Sequence, residues 1–374
     1  MPTRPIAHFV MLFASALILF TTGTTSADDE RITTWTIQER CLNTPTVPDE
    51  NWTFDGEIMM SGWGGIHAIS ADYNTPYVVH WGRGVLSPDG QWVLSQAIDS
   101  EVEQLTGGGA MGRYHFYYDD IVARNIDTLE VVRFKWYAYI SYDSRPYLAG
   151  PAELRWLDET HFAAFYGTYG REIKIGDVTT GTVTDWTNIN FADYELAISP
   201  DQTRIHYYSQ LYILPDNTLL REDIVGTNYD FARTLWSANS LLFADVLSDR
   251  ETETETLALF DRDGNLIARP LAVVNGRVDL YDWSPTSAYL VFSANGEFAG
   301  NSLRGMYMLD VEAGIIYALC SGNAAGWAWS PDGRQFATIF GGGQQPIVIT
   351  DMTNWQSVIA AFHTGYVQMW RTKT

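Results

Sequence analysis

Apolar and polar positions along this chain alternate in a repeated cadence: an apolar run, a short polar turn, and a second apolar run. The clearest copy spans residues 326–340, where Gly-Trp-Ala-Trp leads into Ser330-Pro331-Asp332-Gly333 and an apolar stretch from Phe336 follows. Proline presets φ at the second turn position and glycine accepts positive φ at the last, so the tetrad predicts a tight turn between two strands. The strand after it is apolar on both alternating faces, as expected where sheets stack face to face. Further copies occupy residues 85–96, 196–209 and 281–294, and eroded ones occupy 154–165 and 234–246. With Ser87, Leu157, Ser199, Ser237, Ser284 and Ser330 as anchors, the spacings are 70, 42, 38, 47 and 46 residues. Most lie near the period of about 40–50 residues that a four-stranded propeller blade requires.

A second ladder runs in step with the first. Each anchor is followed by a strand, a polar turn and another strand, at residues 121–134, 172–186, 211–223, 257–270, 306–319 and 347–362. Asp, Asn and Gly in the middle of these segments are hairpin residues. One more such hairpin, 65–81, has no Ser-Pro unit ahead of it, and residues 365–374 at the other terminus align with the start of the 326–340 copy, placing Trp370 where Trp329 stands. The expectation is an all-β propeller over residues 54–374, with seven four-stranded blades and the C-terminal strand completing the first. Six blades with an extra N-terminal hairpin is the alternative. Closure of the ring by the last strand removes a free sheet edge.

The W-S-P-D-G-x-x-apolar pattern resembles the WD40-like repeats of TolB-type propellers, which also occur in the propeller domains of prolyl oligopeptidase relatives. The resemblance covers residues 54–370, with Ser-Pro-Asp-Gly intact at 87–90 and 330–333. It implies the fold and carries little about function. TolB proteins place an α/β domain before the propeller, whereas here the repeats begin soon after the N-terminal leader. The oligopeptidases add a hydrolase domain with a G-x-S-x-G nucleophile elbow. That motif is absent from this sequence, so the resemblance implies a propeller without that catalyst.

Arg4, an apolar run over residues 9–20 and the small residues Thr25-Ser26-Ala27 read as a secretory signal peptide over residues 1–27. The run is too short for the roughly 20 apolar residues of a stable membrane span. Residues 28–53 then form an N-terminal extension, and the chain is expected to be secreted or periplasmic. The formal net charge of −22 repels nucleic acid and anionic lipid. The two cysteines, Cys41 and Cys320, form no C-x-x-C motif and cannot make a thiolate zinc site alone. In an oxidising compartment they are a possible disulfide pair.

Motifs that carry chemistry are near misses. Residues 87–92 miss the spacing of a sialidase box, 107–113 lack the Lys-Ser/Thr of a phosphate loop, and Gly264 falls too early for a calcium loop. No histidine stands in a metal-binding spacing. Asp119-Asp120 is one acid pair for a glycosidase among many accidental ones. The sequence therefore predicts no catalytic residue, no metal and no cofactor. What it does predict is a rim of variable loops joining the second and third strands of the blades, at residues 61–65, 96–120, 166–171, 245–256, 293–305 and 341–346. These bring together Trp63, then Arg113, Tyr114 and His115, then Tyr166, Tyr169 and Arg171, then Asn295, Asn301 and Arg304, and finally Gln344 and Gln345. Aromatic, guanidinium and amide groups in that mixture suit a protein or glycan partner. The expected function is an exported, non-enzymatic propeller that binds a protein or peptide through its loop-rich face. The alternative is a carbohydrate-binding or carbohydrate-active propeller, a lyase or hydrolase.

Overall fold

In the computed structural model, the serine anchors Ser87, Ser199, Ser237, Ser284 and Ser330 fold into one and the same turn. The main-chain N–H three residues on donates to each serine carbonyl at 2.8–2.9 Å. The N–H five residues on donates to each serine hydroxyl at 2.9–3.0 Å. The residue at the third position has left-handed φ in every case: Gly90 at 69°, Gln202 at 56°, Ser240 at 59°, Ser287 at 60° and Gly333 at 70°. Glycine adopts that conformation without strain, and other residues do so at a cost of about 1 kcal/mol. The serine copies without glycine thus keep the geometry after losing the residue that favours it, because the buried serine hydroxyl holds the turn from inside.

The structure describes residues 35–40, 42, 52–62, 64–70, 73–98, 116–140, 153–166, 172–185, 196–207, 209–214, 216–222, 229–249, 251–319, 324–340, 345–363 and 365–372. Cys41, Cys320 and the leader at 1–27 lie outside them. The described residues form strands and no helix. A first sheet contains Glu57–Gly62, Gly65–Ser70 and Tyr73–Trp81, a second runs from Val85–Leu86 to Val131–Ile140, a third from Glu153–Trp156 to Thr182–Asp185, and a fourth from Leu196–Ile198 to Thr218–Arg221. A last four-stranded sheet runs from Ala324–Trp329 to Ser357–His363. Between them lies an eight-stranded sheet whose longest member, Leu266–Trp283, has 18 residues. Its first half pairs with Thr254–Asp261 and its second with Tyr289–Phe298, and the pairing shifts register between Val274 and Arg277. Gly276 permits the crossing, since a Cβ there would lie 2.0 Å from the Asn295 carbonyl. Divided at that point the sheet supplies two sets of four strands, here the fifth and sixth, and the last sheet is the seventh. This all-β layout is a β-propeller, and it is compatible with seven blades.

Tyr366–Arg371 pairs antiparallel with Glu57–Gly62 and so completes the first sheet. Its main chain also runs against the first strand of the seventh sheet, where a Cβ on Gly326 would meet the Val367 carbonyl oxygen at 2.4 Å. Successive sheets are joined by apolar layers, such as Phe134 against Phe162 with ring centroids 4.9 Å apart. Tryptophans stitch them further. The Trp156 indole donates to Val85 O at 2.9 Å, Trp236 to Ala197 O at 3.2 Å, and Trp283 to Leu235 O at 3.0 Å, each reaching back to the preceding set.

One expectation needs correction. The segments 245–256 and 293–305, expected as loops, are mostly strand: Leu242–Asp249 pairs with Thr254–Asp261, and Tyr289–Phe298 with Asn301–Asp310. Pairing runs to Asp249 and Thr254 in the first hairpin, and in the second it continues with alternating burial until Ala299 and Gly300 turn it at φ 49° and 79°. Part of the N-terminal extension is also built into the fold. Thr36–Glu39 adds in parallel to Ile315–Ala318 and covers the outer edge of the sixth set.

Candidate functional site

A cavity of about 800 Å³ opens where the first sheet turns between its second and third strands. Three backbone segments wall it: Ser61 to Ile66, Gly82 to Gly84, and Gly365 to Gln368 at the start of the closing strand. Glycine dominates the first two and begins the third, and at Gly65, Gly84 and Gly365 the neighbouring atoms pack too closely for a side chain. A Cβ would come within 2.0 Å of His80 O at Gly65, 2.3 Å of Val93 at Gly84, and 1.7 Å of Ser61 O at Gly365. Gly82 differs: its φ is 96°, nothing lies within 4 Å of a Cβ position, and its N–H donates to Gly64 O at 2.8 Å. The polar side chains in the lining are Ser61, Arg83, Tyr366 and Gln368. Arg83 is exposed and has no ion pair among the described residues, and Tyr366 is 62% exposed. The ring of Trp81, 73% exposed, lies 3.6 Å from the Cβ position of Gly64 at the rim.

Two histidines lie against the glycine wall. A Cβ on Gly62 would meet His363 at 2.8 Å and His67 at 3.6 Å, and the two rings sit 5.0 Å apart. The Gly365 N–H donates to His363 Nδ1 at 2.9 Å, so in the neutral ring the proton resides on Nε2. Burial, and then the neighbouring His67, hold His363 below the usual imidazole range. His80, whose strand borders the cavity, is lowered by burial and by Arg124. The cavity and its surroundings therefore present neutral or cationic groups, and none of the lining residues is a carboxylate. The lining residues include no pair of acids of the kind used in glycoside hydrolysis.

The rim residues expected from sequence are only partly described. Trp63, Arg113, Tyr114, His115, Tyr169, Arg171 and Gln344 lie outside the described residues. Tyr166 ends the strand His161–Tyr166. Asn295 and Arg304 face each other across the extended hairpin of the sixth set, with Asn301 near its tip. Asn295 Oδ1 accepts from the Arg277 N–H at 2.9 Å, and Asn301 and Arg304 are exposed. Gln345 is half-buried opposite His363. Asp119 and Asp120 pair with Ile98 and Ala97 in the second sheet. Sequence reasoning named the 61–65 segment but missed Arg83, Tyr366 and Gln368. Their signal was present as short glycine clusters in SGWGG, WGRG and TGY, which the fold collects into one wall.

Two buried polar groups elsewhere are perturbed. Burial lowers His206 to about 3, so its neutral ring bonds Thr234 Oγ1 at 2.6 Å while that hydroxyl donates to Asp245 at 2.7 Å. Asp282, next to Trp283, keeps some residue surface in contact with solvent, but its carboxyl is the enclosed part and burial pushes it up to about 7. Among the described residues no group of three or more His, Cys, Asp or Glu is placed to hold a metal, and no helix is long and apolar enough to cross a membrane.

No family model matches the chain, and no curated protein does. Solved structures are similar to it at low identity. TolB from Acinetobacter baumannii is 13% identical over 72% of this chain and 68% of its own, with a TM-score of 0.37. A Bacteroides fragilis protein assigned as a 6-phosphogluconolactonase is 13% identical over 86% of this chain and 99% of its own, with a TM-score of 0.46. An oligogalacturonate lyase in complex with manganese is 11% identical over 74% of this chain and 79% of its own, also with a TM-score of 0.46.

Proposed function

We propose that this protein is an exported, non-enzymatic propeller that binds a protein or peptide partner on the face where residues 61–65 and 82–84 emerge. The observation that supports this most is the glycine-walled cavity with an unpaired Arg83 and exposed Tyr366 and Trp81 at its edge. Exposed aromatics and arginine are the side chains that anchor protein contacts. The exposed hairpin tip carrying Asn301 and Arg304 extends the surface available to a partner. A glycan partner is the second reading, favoured by the exposed Trp81 ring, which offers a stacking face.

The test is affinity capture from envelope and secreted extracts with the mature chain, beside a variant carrying Trp81→Ala, Tyr366→Ala and Arg304→Ala. A partner retained by the parent and lost by a variant with an unchanged melting curve supports the reading. Turnover in a polysaccharide screen overturns the non-enzymatic part. Equal capture by parent and variant moves the binding surface elsewhere.

A further inference from the structure

Resting on that reading, we infer that the glycine-walled cavity receives the C-terminal carboxylate end of an extended peptide, with Arg83 as the carboxylate's partner. The first reason is charge. The chain carries 45 acidic and 23 basic residues, yet the cavity lining has one arginine and no acid. An arginine without a partner, in a chain so rich in carboxylates, marks a point where the anion comes with the ligand. Guanidinium recognises a carboxylate through two parallel N–H···O bonds, and these are stronger than neutral hydrogen bonds.

The second reason is the wall itself. Gly62, Gly64, Gly65, Gly82, Gly84 and Gly365 leave main chain, rather than side chains, facing the space. The N–H groups of Gly82 and Gly365 are taken within the wall, by Gly64 O and His363 Nδ1, so what the missing side chains leave is room for an extended chain to approach the main chain closely. Gly82 in particular has φ 96° with open space where a Cβ would stand, so the approach to the backbone there is unobstructed. The third reason is size and composition. A volume of about 800 Å³ accommodates a short peptide end. Exposed Tyr366 provides apolar contact for its side chains, while Ser61 and Gln368 serve its amides. His67 and His363 behind Gly62 add no negative charge that would repel the carboxylate.

The test uses the full mature chain and a pool of random pentapeptides with free C-termini, beside the same pool amidated and a set of oligogalacturonates. Retention after equilibrium capture is read by mass spectrometry. The expected result is enrichment of free-carboxylate peptides at least tenfold over their amides, lost in Arg83→Gln and partly restored in Arg83→Lys, with melting curves unchanged. Equal retention of both pools, retention indifferent to Arg83→Gln, or no peptide retained overturns the inference. Capture of oligogalacturonates in place of peptides overturns it in favour of a sugar-acid site. A partner still captured from extracts by Arg83→Gln leaves the binding-module reading standing and removes only this pocket from it.

Discussion

Replacing Arg371 with methionine should be among the most damaging single changes in the protein. The residue is 5% exposed, on the strand that closes the ring. Its Nε and Nη2 donate to Glu57 Oε2 at 3.0 and 2.6 Å, its Nη1 and Nη2 to the two Asp127 oxygens at 3.0 Å, and Nη1 also to Gly90 O at 3.0 Å. One guanidinium thus joins the last strand, the first sheet, and both a turn and a hairpin of the second sheet. Glu57 is 1% exposed, and the Tyr77 hydroxyl also donates to it, an arrangement that together with burial raises the phenol above its usual range. Loss of the guanidinium leaves that carboxylate buried without its arginine, which costs about 3–5 kcal/mol. Asp127 is 38% exposed and the pair it makes there adds at most about 1 kcal/mol. Equilibrium unfolding in denaturant at pH 7 should therefore show Arg371→Met down by about 3–5 kcal/mol. In the double variant with Glu57→Gln the loss should be at most half as large, because the orphaned charge is gone. A loss under about 1 kcal/mol, or a double variant as unstable as the single one, would refute the reasoning.

Deletion of residues 364–374 should lower the melting temperature sharply, since it strips Glu57–Gly62 of its antiparallel partner and removes Trp370 and Val367, both under 5% exposed, from the apolar layer they share with Ile58 and Ala328; an unchanged thermal scan would sink the closure. Asp282→Asn should stabilise the protein at pH 8 far more than at pH 4. The folded carboxyl titrates near 7 against about 3.8 when unfolded, so the native state holds its proton longer and loses stability as pH rises through that window, up to about 4 kcal/mol. Equal stabilisation at both pH values would argue against a buried neutral acid. Arg40 N–H bonds Ala318 O and Leu42 N–H bonds Leu319 O, so the neighbours of Cys41 in the chain touch those of Cys320. Protein recovered from an oxidising compartment should accordingly resist thiol alkylation until it is reduced, and full alkylation without reductant would exclude the bond.

Much of the architecture was legible because it is written in local chemistry. A serine that caps a turn, a proline that presets φ and a residue that tolerates positive φ act within six residues of one another, and the serine bonds recur in all five turns even where proline or glycine has been replaced. The partnership between residues 365–374 and the first sheet was legible for the same reason, since Trp370 repeats the place of Trp329 in the cadence. Where strands end was not. Residues 293–305 read as a loop because Asn, Gly and Ser interrupt the apolar run, yet the hairpin continues through them because cross-strand pairing and alternate burial decide strand length.

The candidate site shows the same division. Each glycine cluster was visible in the chain, but nothing local says that residues 61–66, 82–84 and 365–368 share a wall, because they are brought together by ring closure across some 300 residues of sequence. Arg83 and Arg371 illustrate the point as a pair. By sequence both are single arginines near strand ends in an acidic protein, and either could have been the surface charge. The sequence by itself determined the repeat, its turns and the identity of the closing strand, all of which depend on short-range sterics and hydrogen bonding. Only the tertiary structure decided that Arg371 is buried between two carboxylates while Arg83 is left facing a cavity without one, since the partner of a charge is chosen by the packing of distant strands.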